Sequence, residues 1–459
     1  MLDWLFSRVL LPAFETGVKR RRTYQYWSEL ERSQWYSRGE LARLQLTALR
    51  RLLAHAQTQC PYYRAAWSHL GLDAAQVDSL TAFERWPVIS SDAIREHRLR
   101  MRTAGTQLLS KSTGGSSGAP LHFDLDHESH ERRTAAWHRG YSWAGAIPGV
   151  KQLYLWGVPL GQRTAWQRGK DRVYHWLQRR HLLNTFELSA ACVGDFCRRL
   201  NAYRPRVIVA YTNPLYEFAR ALQDRGMRPW SPQAIVVGAE KLHAHQRQLI
   251  ETVFAAPVFE TYGCREVMLI GAECPRHEGL HLTQENLLVE ILDDEGQPTP
   301  PGQEGNVVLT DLYNHGMPFI RYANGDRAIA GWQECSCGRG LPLLRQVTGR
   351  RLDVLHTPDG RRLPGEFFPH LCKDYPAIQR FQVEQTEPDR MQFKVVLGPR
   401  WSDADQAQLL HEVRQAIGEA MQVDFLPVTD IPLTRAGKHQ VVINRCAVRA
   451  MDEPAGAAS

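Results

Sequence analysis

From Ser110 to Pro120 the chain reads Ser-Lys-Ser-Thr-Gly-Gly-Ser-Ser-Gly-Ala-Pro. Four hydroxyl residues and three glycines fill the seven positions Ser112, Thr113, Gly114, Gly115, Ser116, Ser117 and Gly118. Glycine lets backbone N–H groups turn toward an anion because no Cβ blocks the approach. The hydroxyls add donors that rotate to suit its oxygens. Leu108-Leu109 before the stretch and Leu121-His122-Phe123-Asp124-Leu125 after it read as short strands. Two readings stay open at this point: a triphosphate cradle between strands or a flexible surface linker. A Walker P-loop is excluded because no Gly-Lys-Ser/Thr closes the stretch. The glycine spacing of a dinucleotide fingerprint is also missing.

The elements that would position such a loop follow it. Val207-Ile208-Val209-Ala210-Tyr211, Ala234-Ile235-Val236-Val237-Gly238-Ala239 and Val258-Phe259-Glu260-Thr261-Tyr262-Gly263 are apolar runs of the kind found in buried parallel strands. Helical patterns from Asn213 to Arg225 and from His243 to Phe254 separate them. This alternation predicts an α/β fold with a doubly wound, mostly parallel sheet. In such sheets ligands sit beyond the carboxyl ends of the strands, where Tyr211-Thr212-Asn213, Gly238-Ala239-Glu240 and Tyr262-Gly263 fall. Upstream, Tyr24 to Trp67 is helical with a break at Pro61-Tyr62-Tyr63, Pro87 to Asp92 is a turn and helix cap, and His127 to Trp143 is a helix. From His281 to Leu312 short strands and Pro/Gly turns predict a β-rich subdomain. Past Gly349 a hairpin signal at Pro358-Asp359-Gly360, paired strands at Ile378–Gln385 and Met391–Leu397, and a capped helix from Ser402 to Ala420 predict a small α+β unit. The expected domains are therefore 1–348, opening with a helical segment over 1–70, and a small mobile domain over 349–459.

A length of 459 residues leaves ample chain for a large core, and 43% hydrophobic with 23% charged residues is the balance of a soluble globular protein. A net charge of +7 favours anionic substrates without indicating nucleic acid. Nine cysteines, an odd number in a long chain, argue against a disulfide framework. No run of 18 apolar residues predicts a transmembrane helix, and Lys19-Arg20-Arg21-Arg22 follow the apolar N-terminus, the wrong order for a secretory signal. A cytoplasmic location is expected. Leu2, Leu5, Phe6, Val9 and Leu10 share one helical face, which reads either as an interfacial helix on anionic lipid at the inner face of the membrane or as a face docked on the protein's own body. The second is the expectation. Arg163 to Arg180 is a basic amphipathic segment with Trp166, Val173, Trp176 and Leu177 on one side; its charges read most simply as a solvated face.

Five separated segments resemble the motifs of the adenylate-forming, or acyl-CoA synthetase, superfamily. Ser112–Pro120 resembles its phosphate loop and Thr261-Tyr262-Gly263-Cys264-Arg265-Glu266 its Tyr-Gly-x-x-Glu segment. Arg321-Tyr322-Ala323-Asn324-Gly325-Asp326 resembles Tyr-x-x-Gly-Asp, Gly349-Arg350-Arg351-Leu352-Asp353 the hinge, and Pro432-Leu433-Thr434-Arg435-Ala436-Gly437-Lys438 the C-terminal Gly-Lys loop. They occur in the family's order. Gly238-Ala239-Glu240 and the Leu46–Tyr63 pattern are similar to the phenylacetate–CoA ligase branch. Thr-Gly-Gly-Ser-Ser-Gly-Ala-Pro followed by Leu-His-Phe is most similar to its capsular-polysaccharide-cluster (CapK-like) relatives.

The resemblance implies ATP-dependent formation of an acyl-adenylate from a small carboxylic acid, then transfer to a thiol, that of coenzyme A or of a carrier. It implies that Ser112–Gly118 hold the β- and γ-phosphates, that Gly238, Ala239, Glu240, Thr261, Tyr262 and Gly263 surround the adenine, and that Glu266 anchors Mg2+. Asp326 would accept from the ribose, Arg350 would contact the ribose or α-phosphate, and Lys438 would bridge the α-phosphate and the substrate carboxylate. Taken alone, Glu266 reads as a helix-start carboxylate, Asp326 as a turn aspartate and Lys438 as a lysine in an exposed turn. Cys274, His281, Cys335 and Cys337 form a Cys₃His set for structural Zn2+ if they converge, a pattern that members of this branch carry, with His277 as the competing ligand. Tyr154, Tyr211 and Asn213, with Trp137, Trp143 and Trp156, are candidates to line an acid pocket, although such segments also serve as core.

Two positions depart from the pattern. Leu352 stands where the hinge usually has Asp or Lys, and Ala119 replaces the lysine before the loop's proline. The thioester step is therefore less specified than adenylation, and two other readings stand beside it: acyl transfer to an amine, sugar hydroxyl or carrier protein in envelope polysaccharide synthesis, and a nucleotide-binding relative without activity. A monomer or homodimer is expected.

Overall fold

The computed structural model describes residues 2–113, 121–156, 165–184, 192–331, 334–350, 355–358, 362–363, 367–372, 375, 377–432 and 440–446. The chain divides into two compact units. The larger runs to Val347 except for Gly325–Arg327, which belong with the smaller unit of Thr348 onward.

In the larger unit the strands are β1 (Leu109–Ser112), β2 (His122–Leu125), β3 (Gln152–Trp156), β4 (Arg180–Asn184), β5 (Val207–Tyr211), β6 (Ala234–Gly238), β7 (Val258–Cys264), β8 (Met268–Glu273), β9 (Leu280–Leu282), β10 (Leu287–Leu292), β11 (Glu304–Asp311), β12 (Tyr322–Ala330) and β13 (Leu343–Arg350). β1 and β2 form an antiparallel hairpin of their own. The other strands make one eleven-stranded sheet in the order β10-β11-β12-β13-β9-β8-β7-β6-β5-β3-β4. Its β3–β7 part is parallel. Every residue of β5 and β6 is buried, because both faces are covered. Ile208, Ala210, Ile235 and Val237 pack against Phe196, Leu215, Phe218, Ile250 and Phe254 of the Val193–Tyr203, Thr212–Asp224 and Ala244–Phe254 helices. On the opposite face Val207, Val209, Ala234 and Val236 meet Tyr141, Tyr154 and Phe259.

The β-rich stretch is not a separate sheet. The chain leaves β7 through a turn at Arg265–Val267 and returns as β8 antiparallel to it. A connection that short allows only an antiparallel return, so β8–β13 extend the parallel sheet. Pro61 also differs from expectation. The Arg38–Gln59 helix, capped by Ser37 and Glu40, ends at Cys60, and Pro61 opens the Pro61–His69 helix at its first position. There its missing N–H has no partner to lose.

The N-terminal segment is helical over Leu2–Leu5, Phe6–Leu10 and Ala13–Val18, the last two being π turns. The expected docking of its apolar face is not found: Leu2, Leu5, Val9 and Leu10 are exposed. Asp3, Phe6, Ser7, Leu11, Pro12, Phe14 and Glu15 are the buried or half-buried positions. The wider π turns change the phase, so a face drawn at 3.6 residues per turn is not the one that docks. Asp3 pairs with Arg179, and Glu15 accepts from Arg21 and Tyr174, which fixes that phase.

The smaller unit holds the β14 (Leu355–His356) and β15 (Arg362–Leu363) pair and a four-stranded sheet ordered β18-β17-β16-β19. Its strands are β16 (Ile378–Glu387), β17 (Arg390–Leu397), β18 (Gln422–Pro427) and β19 (Val442–Asn444). The Asp403–Ile417 helix starts at a Ser402/Asp405 capping box and packs Leu409, Val413 and Ile417 on Val383, Phe393 and Phe368. Asp359 and Gly360 of the hairpin signal lie outside the described residues.

Candidate active site

The glycine-rich stretch leaves the β1–β2 hairpin at a closed mouth. The Thr113 N–H donates to the Leu121 carbonyl at 2.9 Å, and the Leu121 N–H donates to Thr113 Oγ1 at 2.9 Å. Gly114–Gly118 and Ala119 lie outside the described residues. Below the mouth, the fully buried Asp124 accepts from Arg98 Nε and Nη2 at 2.9 and 2.8 Å, Arg102 Nε at 2.7 Å and Ser110 Oγ at 2.6 Å. Burial alone would push this carboxyl up; the Arg102 and Arg98 bonds outweigh it and hold the group well below the usual carboxylate range. The hairpin is thus clamped to the Ser91–Met101 helix and its C-terminal flank.

Glu266 sits in the β7–β8 turn, not at a helix start. It is buried, and its Oε1 accepts from the Tyr322 hydroxyl at 2.9 Å. Its backbone carbonyl accepts from Arg133 Nη1 at 2.5 Å, and Arg133 is itself held by Asp311 at 2.6 Å. The preceding Arg265 donates through Nε to the Ser112 carbonyl at 3.3 Å, tying this turn to the loop mouth. Burial and then the Arg265 and Arg133 charges push the Lys111 ammonium down. Lys111 in β1 and Arg265 at the Ser112 carbonyl are basic side chains beside the mouth, of the sign a polyphosphate attracts.

At the carboxyl ends of β5 and β6 the predicted polar clusters bond to each other. Glu240 accepts from the Asn213 N–H at 2.9 Å, and its carbonyl accepts from Thr212 Oγ1 at 3.0 Å. Asn213 Oδ1 accepts from Gln246 at 2.8 Å. Ala239 has φ +68°, a strained value for a residue with a Cβ. A Cβ at Gly238 would collide with Thr261 Oγ1, which donates to the Val237 carbonyl at 2.8 Å. Tyr262 is buried, with its hydroxyl accepting from Asn324 Nδ2 at 3.0 Å. The Tyr211 ring lies against Trp156, centroids 4.0 Å apart and tilted by 38°. Tyr154 is a core residue, its hydroxyl donating to Gln152 at 3.1 Å.

Asp326 is buried in β12, after Gly325 at φ +81°. Arg350 closes β13; its side chain, Leu352, Asp353 and Lys438 lie outside the described residues. Sequence reasoning assigned no role to Arg265, Tyr322, Asn324, Arg133 or Asp124. The first three stand inside quoted motifs, which was the available signal. Arg133 and Asp124 carried none, because their partners are far away in the chain.

Cys274, His281, Cys335 and Cys337 do converge: their ligand atoms all lie within 4.8 Å of one another. Cys274 and Cys335 sulfurs are 3.6 Å apart, and Cys337 Sγ is 3.3 Å from His281 Nε2. A disulfide needs about 2 Å, whereas two sulfurs on one tetrahedral zinc stand about 3.8 Å apart at the usual bond length of about 2.3 Å. The donor set fits the ion. Arg276 and Arg339 N–H groups donate to Cys274 and Cys337 sulfurs at 3.5 Å, and His281 Nδ1 faces the Leu341 carbonyl at 3.3 Å, which turns Nε2 inward. His277, the competing ligand, instead meets Glu273 at 3.1 Å.

Residues 355–445 match the family model of the CapK C-terminal domain. The phenylacetate-coenzyme A ligase of Thermus thermophilus is 23% identical over 438 residues, 89% of this chain and 97% of that protein. That of Aromatoleum evansii is 22% identical over 91% of this chain and 97% of its own length. Among solved structures, 2-hydroxyisobutyryl-CoA ligase in the postadenylation state with R3-HIB-AMP superposes with a TM-score of 0.72 at 18% identity, over 92% of this chain and 93% of that one. The fold is that of the adenylate-forming superfamily. The chain is similar over most of its length to phenylacetate–coenzyme A ligases, and its residues 355–445 are similar to the CapK C-terminal domain.

Proposed function

We propose that this chain is an AMP-forming acid–coenzyme A ligase. The carboxylate of a small acid attacks the α-phosphorus of ATP and pyrophosphate leaves. The coenzyme A sulfur, its proton lost to solvent, then attacks the acyl carbonyl and AMP leaves. The observation that carries this reading is the buried Glu266, held by Tyr322 and joined through Arg265 to the mouth of the glycine-rich loop. Joining two anions is an electrostatic problem, so preorganised charge is where the catalysis should lie. Mg2+, which a hard carboxylate such as Glu266 suits, would neutralise phosphate charge.

The remaining roles belong to the same reading. Ser112–Gly118 hold the departing phosphates, and Lys438 bridges the α-phosphate and the carboxylate. Asp326 and Arg350 take the ribose end. Gly238–Glu240 and Thr261–Gly263 surround the adenine, and Tyr211 and Asn213 are the candidates for the acid. Cys274, His281, Cys335 and Cys337 hold a structural Zn2+, whose closed donor set leaves no place for substrate. A cytoplasmic location with peripheral lipid contact belongs to the same reading; no described helix is long and apolar enough to cross a membrane.

The test is pyrophosphate release with a panel of acids, followed by mass spectrometry for the thioester once coenzyme A is added. Release that needs an acid, and a thioester that needs coenzyme A, are expected. Release without thioester would move the second step to another acceptor; no release with any acid would remove the ligase reading.

A further inference from the structure

The N-terminal segment and the Ala165–Leu177 helix are separated by some 150 residues and form one surface. Phe6 meets Trp176 edge to face at 5.4 Å, and Phe14 meets Tyr174 at 6.3 Å. Tyr174 donates to Glu15 at 3.0 Å. Arg179, just past the helix, pairs with Asp3 and lies over Phe6 at 5.3 Å. Backbone packing is equally close: a Cβ at Gly149, φ +90°, would stand 2.7 Å from the Ser7 nitrogen. The segment is thus docked on the body through Phe6, Leu11 and Phe14, while its other large apolar side chains stay exposed. Leu2 is 61% exposed, Trp4 63%, Val173 63% and Trp176 64%, with Leu5, Val9 and Leu10 also exposed.

Charge is sorted the same way. Arg8, Lys19, Arg20, Arg22, Lys170 and Arg172, in or next to the same two segments, are exposed. Their acids are drawn back: Asp3 to Arg179, Glu15 to a buried position bonded by Arg21 and Tyr174, and Asp171 half-buried. Exposed apolar side chains, two tryptophans among them, carried with exposed basic residues on the same segments suit the boundary between lipid headgroups and acyl chains. Long basic side chains can lay their stems on the apolar centre and reach the headgroups. A second copy fits less well, because a two-fold pairing of this surface would bring its exposed basic residues toward those of the partner copy.

We propose that the N-terminal segment and the Ala165–Leu177 helix together form a peripheral docking surface for an anionic phospholipid bilayer. This rests on the cytoplasmic, peripheral reading above and is independent of the ligase reaction. It places the consumption of ATP and acid next to a membrane.

The test is flotation of the full chain with vesicles of phosphatidylcholine alone or mixed equally with phosphatidylglycerol, at low and high salt. The protein is expected to float with the anionic vesicles and to be released by salt. Lys19→Gln/Arg20→Gln/Arg22→Gln should weaken partition about a hundredfold, and Trp4→Ser/Trp176→Ser about tenfold. Pyrophosphate release in solution should be unchanged in both. Quenching of tryptophan emission by bromolipids in the unmodified protein supplies a readout that needs no variant. Failure of the unmodified protein to float at low salt, equal binding to both vesicle types, or a dimer that Trp4→Ser/Trp176→Ser dissolves would overturn the proposal. Flotation without pyrophosphate release would instead sink the ligase reading and leave this one standing.

Discussion

The two polar clusters of the larger unit are built on opposite plans. The Cys₃His cluster closes on itself. Its sulfurs and ring nitrogen face one another, two backbone N–H groups back the sulfurs, and Cys274 and Cys335 come from loops 61 residues apart. The Glu266 cluster is anchored from behind and open in front. Tyr322 and Arg133 grip the carboxylate and the turn, while Gly263 and Arg265 stay exposed. A closed donor set ties loops together; an open one leaves room for a substrate. Removing a group from the first should therefore cost stability, and from the second, rate.

The largest effect is expected in the closed cluster. Cys335→Ser removes one of the four proposed ligands, and loss of a metal site belongs among the mutations costing about 4 kcal/mol or more. The measurements are zinc stoichiometry and denaturant unfolding with and without chelator. The unmodified protein should hold about one zinc and unfold earlier after chelation, while the folded fraction of the variant keeps its turnover number. A fully stable Cys335→Ser protein would show that the loops need no ion.

The open cluster should behave in reverse. Glu266→Gln keeps an oxygen to accept from Tyr322 but removes the charge. Turnover in pyrophosphate release should fall by about a hundred- to a thousandfold, about 3 to 4 kcal/mol in the barrier, with the unfolding midpoint close to that of the parent. A large loss of stability with intact turnover would exchange the roles of the two clusters.

These outcomes also bear on what was legible in the sequence. The parallel strands were, because Val207–Tyr211 and Ala234–Gly238 are buried on both faces and so read as continuous apolar runs. The four cysteine and histidine ligands were legible as residue types, and their convergence was conditional until the loops were placed. The supports of Glu266 were not, because Arg133 and Tyr322 reach it across 133 and 56 residues, and no local period encodes such a distance. The N-terminal face was misjudged for a physical reason: its apolar side had been drawn on an α period, while π turns and the Asp3 and Glu15 anchors set the docked side.

The smallest effect concerns a buried group that belongs to neither cluster and so calibrates both. His138 lies in the His127–Ser142 helix, buried between Trp27 at 5.4 Å and Trp137 at 5.1 Å. Burial and then the Arg180 charge push its ring down to about 3. In the unfolded chain it titrates near 6.5, so below that pH the unfolded state takes up the proton first. Stability from this group is complete above 6.5 and is lost as pH falls toward the folded value. From pH 6.5 to 5 the loss is about 2 kcal/mol, at about 1.4 kcal/mol per unit. His138→Phe keeps an aromatic ring in place and removes the proton site. The difference between the two proteins in urea unfolding free energy should therefore shrink or reverse over that pH range, with pyrophosphate release at neutral pH unchanged. Parallel pH profiles for parent and variant would mean that the folded His138 ring takes up its proton as readily as the unfolded one and has a partner that these contacts do not supply.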